Sequence, residues 1–220
     1  SPVVVTGKPG TSQNTKLSVP EGYKLAQGQT LPDKVTMPAE TGDTIIIHLV
    51  HATKAINPTD PGVDPTKDKY KDMFTSATRK IYQTKPGQSR QLIETQTVNF
   101  GRSGVEDLVT GKVTGAGDWK AGKIQNNKFV LDGNSNFGEY NVPQIDGYVS
   151  YVDNVKSKKV SVASALDKDG NPVNGEKVEI TYKADQSKPT EDTKVTYQFY
   201  DDTDKKNVGS PVVVTGKPGV

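Results

Sequence analysis

The sequence predicts a mostly β fold, α+β at most, made of small units in series. Three observations carry this. Short β-branched or alternating runs are separated by Pro, Gly, Asn and Asp. Only one segment shows helical spacing. The third is a decapeptide, SPVVVTGKPG, that occurs at 1–10 and again at 210–219.

Ten identities in ten positions, at an offset of 209 (210 minus 1), make an internal repeat. The period is too long for a solenoid unit of ~20–50 residues and fits a string of whole domains. The chain then reads as one period of a tandem array with an overhang. It starts at Ser1 rather than Met, as a piece of a longer protein would.

Composition narrows the function classes. Hydrophobic residues are 32% of the 220, so the core must be modest and spread over small units. Lys+Arg 28 against Asp+Glu 26 leaves a net charge of +2, without the strong basic excess of a nucleic-acid binder. Arg79, Arg90 and Arg102 are the only arginines. Cysteine is absent, which excludes disulfides, thiolate catalysis and Cys-ligated metal. No apolar run approaches the ~20 residues that span a bilayer, so neither a membrane segment nor a signal peptide is expected here.

The first unit is expected over 1–54. Its opening strand, 2–6, is an unpaired edge, because its hairpin partner lies at the other end of the chain. Extended pieces follow at Tyr23–Leu25 and Lys34–Met37. Thr44–His51 is Ile-rich and too short for a helix, and it reads as a buried strand.

Residues 55–76 read as a linker, stiffened by Pro58, Pro61 and Pro65. A short helix after Pro65 would bring Tyr70, Met73 and Phe74 onto one stripe, which packs on the second unit in the first reading and docks a partner in the second.

The second unit is expected over 77–184. Strands Arg79–Thr84 and Leu92–Phe100 flank the turn Lys85-Pro-Gly-Gln88. Shorter strands are expected at Val109–Thr114, Phe129–Leu131, Tyr148–Val152 and Val160–Ala163. Asp167–Pro172 is a turn, and Lys177–Lys183 alternates through Val178, Ile180 and Tyr182.

A second linker, 185–193, leads to 194–220, the start of the next repeat's first unit. There Val195, Tyr197 and Phe199 alternate with Thr196, Gln198 and Tyr200. The acidic turn from Asp201 and the return strand Pro211–Thr215 complete a hairpin over 195–215. Val19-Pro-Glu-Gly-Tyr23 also echoes Val142-Pro-Gln-Ile-Asp-Gly-Tyr148, so the two units read as variants of one small β fold.

These residues carry a family resemblance. The 195–201 hairpin strand with its acidic turn and the Pro-x-Gly-Tyr element resemble the mucin-binding (MucBP) domain of Gram-positive surface adhesins. In the second unit, Thr78-Arg-Lys-Ile-Tyr82, Pro86-Gly87, Gln96-Thr-Val-Asn-Phe100, Thr110-Gly-Lys112 and Trp119 follow in the order of a B2-type unit. Together they resemble the Mub-type repeats, B1 plus B2, of lactobacillus mucus-binding adhesins. The resemblance implies two tandem ubiquitin-like β-grasp domains in an elongated rod. It implies a secreted, cell-wall-anchored parent, with host mucin glycoproteins as partners. Some repeats of the family bind immunoglobulins.

No catalytic constellation stands out, so the chain is read as a non-enzyme. His48 and His51, three apart on one expected strand, would point to opposite faces and not share a metal. Asp167, Asp169 and Asn171 space their oxygens as an EF-hand loop begins. Pro172 in place of Gly and Val178 in place of Glu break that pattern. A plain turn is the first reading there, a weakly bound Ca²⁺ the second, and no other cofactor is expected. Trp119, Tyr140 and Tyr148 offer aromatic faces to a glycan, and Lys120 and Lys123 would suit sialylated or sulfated sugars. Anchoring of a long loop to the core is the competing role for Trp119.

The leading function is an adhesin repeat that binds mucin glycans by multivalent weak contacts. A structural stalk repeat and an immunoglobulin-binding module are the alternatives. The ends add one more expectation. The linker 185–193 reaches at most about 30 Å. The hairpin strand 195–201 should therefore pair head to tail with residues 2–6 of a neighbouring molecule.

Overall fold

The computed structural model describes residues 2–40, 42, 44–187 and 193–216. The expected linker 185–193 lies mostly outside them. The mostly β expectation is met: strands dominate, and the one helix among the described residues is a 3-10 turn over Asp68–Met73. Packing divides the chain into two compact units. One comprises 1–79, 96–138 and 163–176, the other 80–95, 139–162 and 177–220.

In the first unit, Ser12–Asn14 pairs with Lys34–Thr36, and Tyr23–Leu25 with Leu49–His51, all antiparallel. Thr53–Ile56, Gly104–Asp107 and Val113–Gly115 form a three-stranded sheet. Lys120–Gln125 pairs with residues 99–101 on one side and with Lys128–Leu131 on the other. The two-residue turn between those last strands is Asn126-Asn127, both at positive φ (50° and 58°), which Asn tolerates better than most residues.

Two clusters close this unit. Ala77, Phe100, Ala121, Phe137 and Ala165 form one. Ile56, Val63, Met73 and Val113 form the other, with Tyr70 and Phe74 packed against it. The expected stripe of Tyr70, Met73 and Phe74 is therefore a packing stripe. Gly122 is required by a close approach: a Cβ there would lie 2.3 Å from the Val130 carbonyl oxygen and 2.7 Å from the Phe129 ring.

In the second unit, Tyr148–Val152 pairs antiparallel with Asn174–Ala184. It turns through Asp153-Asn154 (φ 47° and 67°) into Val155–Lys156. Ile81, Val142, Val160, Val178 and Ile180 form its core. Thr193–Asp201 and Lys206–Gly216 form the expected terminal hairpin, with Val195 opposite Val214 and Tyr197 opposite Val212.

Three expected strands differ. Of Thr44–His51 only Leu49–His51 is a strand, and Ile45 and Ile46 are 69% and 70% exposed. The run has β propensity, but Tyr23–Leu25 offers it only three residues to pair with, and a strand persists only where a partner and a cover exist. Val109–Thr114 is strand only from Val113. Asp107 Oδ1 accepts the backbone N–H groups of Val109 and Thr110 and turns the chain there, while Gly104–Asp107 before it is the strand. Val160–Ala163 splits into Lys159–Val160 and Ala163–Ser164, which pair with Tyr140–Asn141 and Asn136–Phe137 respectively. Residues 2–6, also expected as a strand, do not form one in the structure.

Candidate binding surface

The 3-10 turn Asp68–Met73 and the loop into Val113–Gly115 wall an open groove of about 660 Å³ in the first unit. Met73 and Val113 are buried beneath it and anchor both walls in one apolar cluster. The rim is polar, with Lys69, Lys71, Asp72, Thr110 and Lys112. Lys69 Nζ donates to Glu106 at 2.6 Å, and Lys71 Nζ to Asp68 at 2.9 Å. Asp72 Oδ2 accepts the backbone N–H of Gly115 at 2.9 Å, which ties one wall to the other. The hydrogen bond to Glu106 pushes the Lys69 pKa up. Among the described residues, the exposed Lys112 ammonium has no ion-pair partner.

Trp119 lies beside this rim. It is half-buried and packs on the Phe100–Ala121 cluster, so it does anchor its loop. One face of the indole carries the Arg102 guanidinium, 4.4 Å from the ring. Arg102 Nε also donates to the Asp72 backbone carbonyl at 2.9 Å. Trp119, Arg102 and Asp72 thus form a chain from the core to the groove. Lys120 is exposed next to Trp119, and Lys123 is exposed with Asp132 at 3.7 Å.

The remaining candidates lie in the second unit. Tyr140 is half-buried against its core, and Tyr148, opposite Ala184, is 38% exposed. The structure therefore brings Trp119, Lys120 and Lys123 into one unit and places Tyr140 and Tyr148 in the other. The groove itself was not read from the sequence. Its signal was Thr110-Gly-Lys112, a glycine turn with a hydroxyl and a cation on it.

At the turn after Ala165, Asp167 Oδ1 accepts the backbone N–H groups of Asp169 and Asn171 at 2.9 and 2.8 Å. The Asn171 bond chiefly holds the Asp167 carboxyl below the usual carboxylate range. Lys168 pairs with Asp169.

His51 and His48 separate in role. His48 offers its backbone N–H to Gln29, and His51 Nδ1 donates to Asp107 Oδ2 at 2.7 Å. That bond, with the Thr110 backbone N–H second, holds the Asp107 carboxyl well below the usual carboxylate range. A depressed carboxylate pKa stabilises the fold above the ordinary value of 3.8, and the contribution is lost as pH falls below it. Asp107→Asn is therefore expected to lower the melting temperature by a few degrees at neutral pH. The gap to the wild type should close as both are titrated into acid. A gap that stays constant on acidification would show that the bond contributes nothing.

No helix among the described residues is long and apolar enough to cross a membrane. Residues 68–170, just under half of the chain, match the family described as the Muc B2-like domain, so this segment carries the B2-type likeness that its motifs announced.

No curated protein sequence matches the chain. Among solved structures, Mub-RV is similar over 75% of this chain and 76% of its own, at 18% identity and a TM-score of 0.39. The MucBP domain of an adhesion protein from Pediococcus pentosaceus is similar over 50% of this chain and 99% of its own, at 21% identity and a TM-score of 0.35. The mucin-binding domain of Spr1345 from Streptococcus pneumoniae is similar over 61% and 99%, at 19% identity and a TM-score of 0.32.

Proposed function

We propose that the chain is an adhesive, non-catalytic repeat of an extracellular, wall-anchored bacterial protein, and that it binds mucin glycoproteins through their glycans. The Muc B2-like segment at 68–170 carries this reading. The geometry supports it. The groove offers hydroxyl, backbone and ammonium groups, beside the carboxylates of Asp68 and Asp72, at an open surface that a flexible, branched sugar could follow. Within this reading Lys112, Lys120 and Lys123 attract the acidic sugars, and Trp119 gives the surface a rigid edge.

Retention of the 220-residue chain on immobilised mucin, before and after removal of the glycans, tests it. Weak saturable retention is expected on native mucin, several-fold lower on the deglycosylated surface. Lys112→Glu combined with Lys120→Glu should weaken it several-fold more at low salt than at high salt. No saturable retention on either surface would overturn the reading in favour of a stalk. Selective retention by Fab or Fc fragments would overturn it in favour of immunoglobulin binding.

A further inference from the structure

Asn174-Gly175 is the only Asn-Gly step in the chain. It opens the strand Asn174–Ala184, and both residues are exposed. An asparagine side-chain amide is most open to attack by the next backbone nitrogen when that residue is glycine, because no Cβ crowds the approach. Gly175 holds φ at 77°, a conformation that favours glycine. A Cβ placed on it would meet nothing within 4 Å, so water reaches the reacting atoms from the open side.

One side chain touches both reacting groups. Thr78 lies on the strand Phe74–Gln83 and is half-buried. Its backbone N–H donates to the Val173 carbonyl at 3.3 Å, which sets it beside the Asn-Gly step. Its hydroxyl donates to Asn174 Oδ1 at 3.2 Å, and the same oxygen accepts the Gly175 N–H at 3.4 Å. A hydroxyl has one proton to give and lone pairs to receive, so both bonds hold at once. The Gly175 nitrogen is the nucleophile and Asn174 Cγ the electrophile. Thr78 thus faces the proton that must leave and polarises the carbonyl that must take up electrons. Asn134 is exposed too, but its Oδ1 accepts the Asn136 N–H instead.

We infer that Asn174 is a modification site at which the folded chain deamidates itself, with the Thr78 hydroxyl as the proton relay. The Gly175 nitrogen bonds to Asn174 Cγ and passes its proton to Thr78 Oγ1, which gives its own proton to Oδ1. The tetrahedral carbon reforms its carbonyl and expels the side-chain nitrogen, which takes that proton and leaves as ammonia. A five-membered imide remains, and water opens it at either carbonyl, to aspartate or to isoaspartate. Water is the only co-reactant. Either product adds a carboxylate, so the net charge falls from +2 to +1 (+2 minus 1). The isoaspartyl product also lengthens the backbone by one carbon at the head of the strand that carries the core residues Val178 and Ile180. The site is independent of what the repeat binds.

The test is the rate at which aspartate and isoaspartate accumulate at position 174 of the full chain at neutral pH, read by mass spectrometry after digestion. The folded chain is expected to convert Asn174 at least about ten-fold faster than the same chain unfolded in urea. It should also convert Asn174 faster than its own Asn134. Thr78→Val should bring the folded rate down to the unfolded one. Thr78→Ser keeps the hydroxyl and should convert as the wild type does. In urea all three chains should convert alike. Rescue by serine separates a proton relay from a packing role, since valine fills the space as well. A folded Asn174 no faster than the unfolded one would overturn the inference, whatever the variants do. So would Thr78→Val as fast as the wild type, or Thr78→Ser as slow as Thr78→Val.

Discussion

Arg79→Met is expected to lower the melting temperature by roughly 5–15 °C, about 2–4 kcal/mol. The strand Phe74–Gln83 alternates, and Ala77, Arg79, Ile81 and Gln83 all point inward. Arg79 is 1% exposed. Its Nε and Nη2 donate to Gln96 Oε1 at 3.0 and 2.7 Å, and Nη2 also donates to the Gly138 carbonyl at 2.7 Å. The guanidinium carbon lies 5.2 Å from the centre of the Phe137 ring. Burial pulls its pKa below the ordinary arginine value, but an arginine starts so high that it stays charged. A buried cation is therefore held by amide and carbonyl oxygens and an aromatic face.

Methionine keeps most of the stem volume and removes every donor. Gln96 Oε1, in a part-buried position, would then lose the guanidinium that satisfies it, and the packed site would lose its buried donors. Arg79→Met with Gln96→Met removes the guanidinium and its amide acceptor together, at the cost of both side-chain donors to the Gly138 carbonyl, and should recover part of the stability. Thermal and urea unfolding of the two variants decide this. A single variant as stable as the wild type, or a double variant no better than the single, would refute the network's role.

This residue also shows what the sequence made legible. Period-2 alternation in Thr78-Arg-Lys-Ile-Tyr82 locates the strand and puts Arg79 on the same side as Ile81. Charge argues for solvent, so composition alone treats it as surface. Its burial depends on Gln96 and Gly138, both distant in sequence, and no local pattern announces such partners. Trp119 is similar. Its neighbours are Gly, Asp and Lys, which suggest a loose polar loop, but Arg102 and the Phe100 cluster hold it.

Hairpins were the most readable elements, because turn chemistry and alternation lie within a few residues. The Tyr148–Val152 strand and the 195–215 hairpin fall where they were expected. The Thr44–His51 run has the propensity of a buried strand, but propensity does not supply the cover that burial needs. Without a cover, Ile45 and Ile46 have no reason to order as a strand. The groove at 68–72 and 110–114 joins segments about forty residues apart, and only the fold brings them together.

A chain of two covalently joined copies is expected to stay on a mucin surface roughly a hundred-fold longer than one copy. Each groove is open, so a single contact is expected to be weak and short-lived. Joining copies makes the second contact intramolecular, and dissociation then needs both to be released together. The decapeptide at 1–10 recurs at 210–219, which makes joined copies the natural form in which to test this. Variants of the groove should act in proportion to copy number: Lys112→Glu in one copy of two should return retention close to the single-copy value.

The most direct measurement is the dissociation rate from immobilised mucin for chains of one, two and four copies, at equal surface density and ionic strength. The rate is expected to fall steeply with each added copy and to become uniform and fast once the glycans are removed. A rate that does not depend on copy number, with retention unchanged by glycan removal, would contradict it.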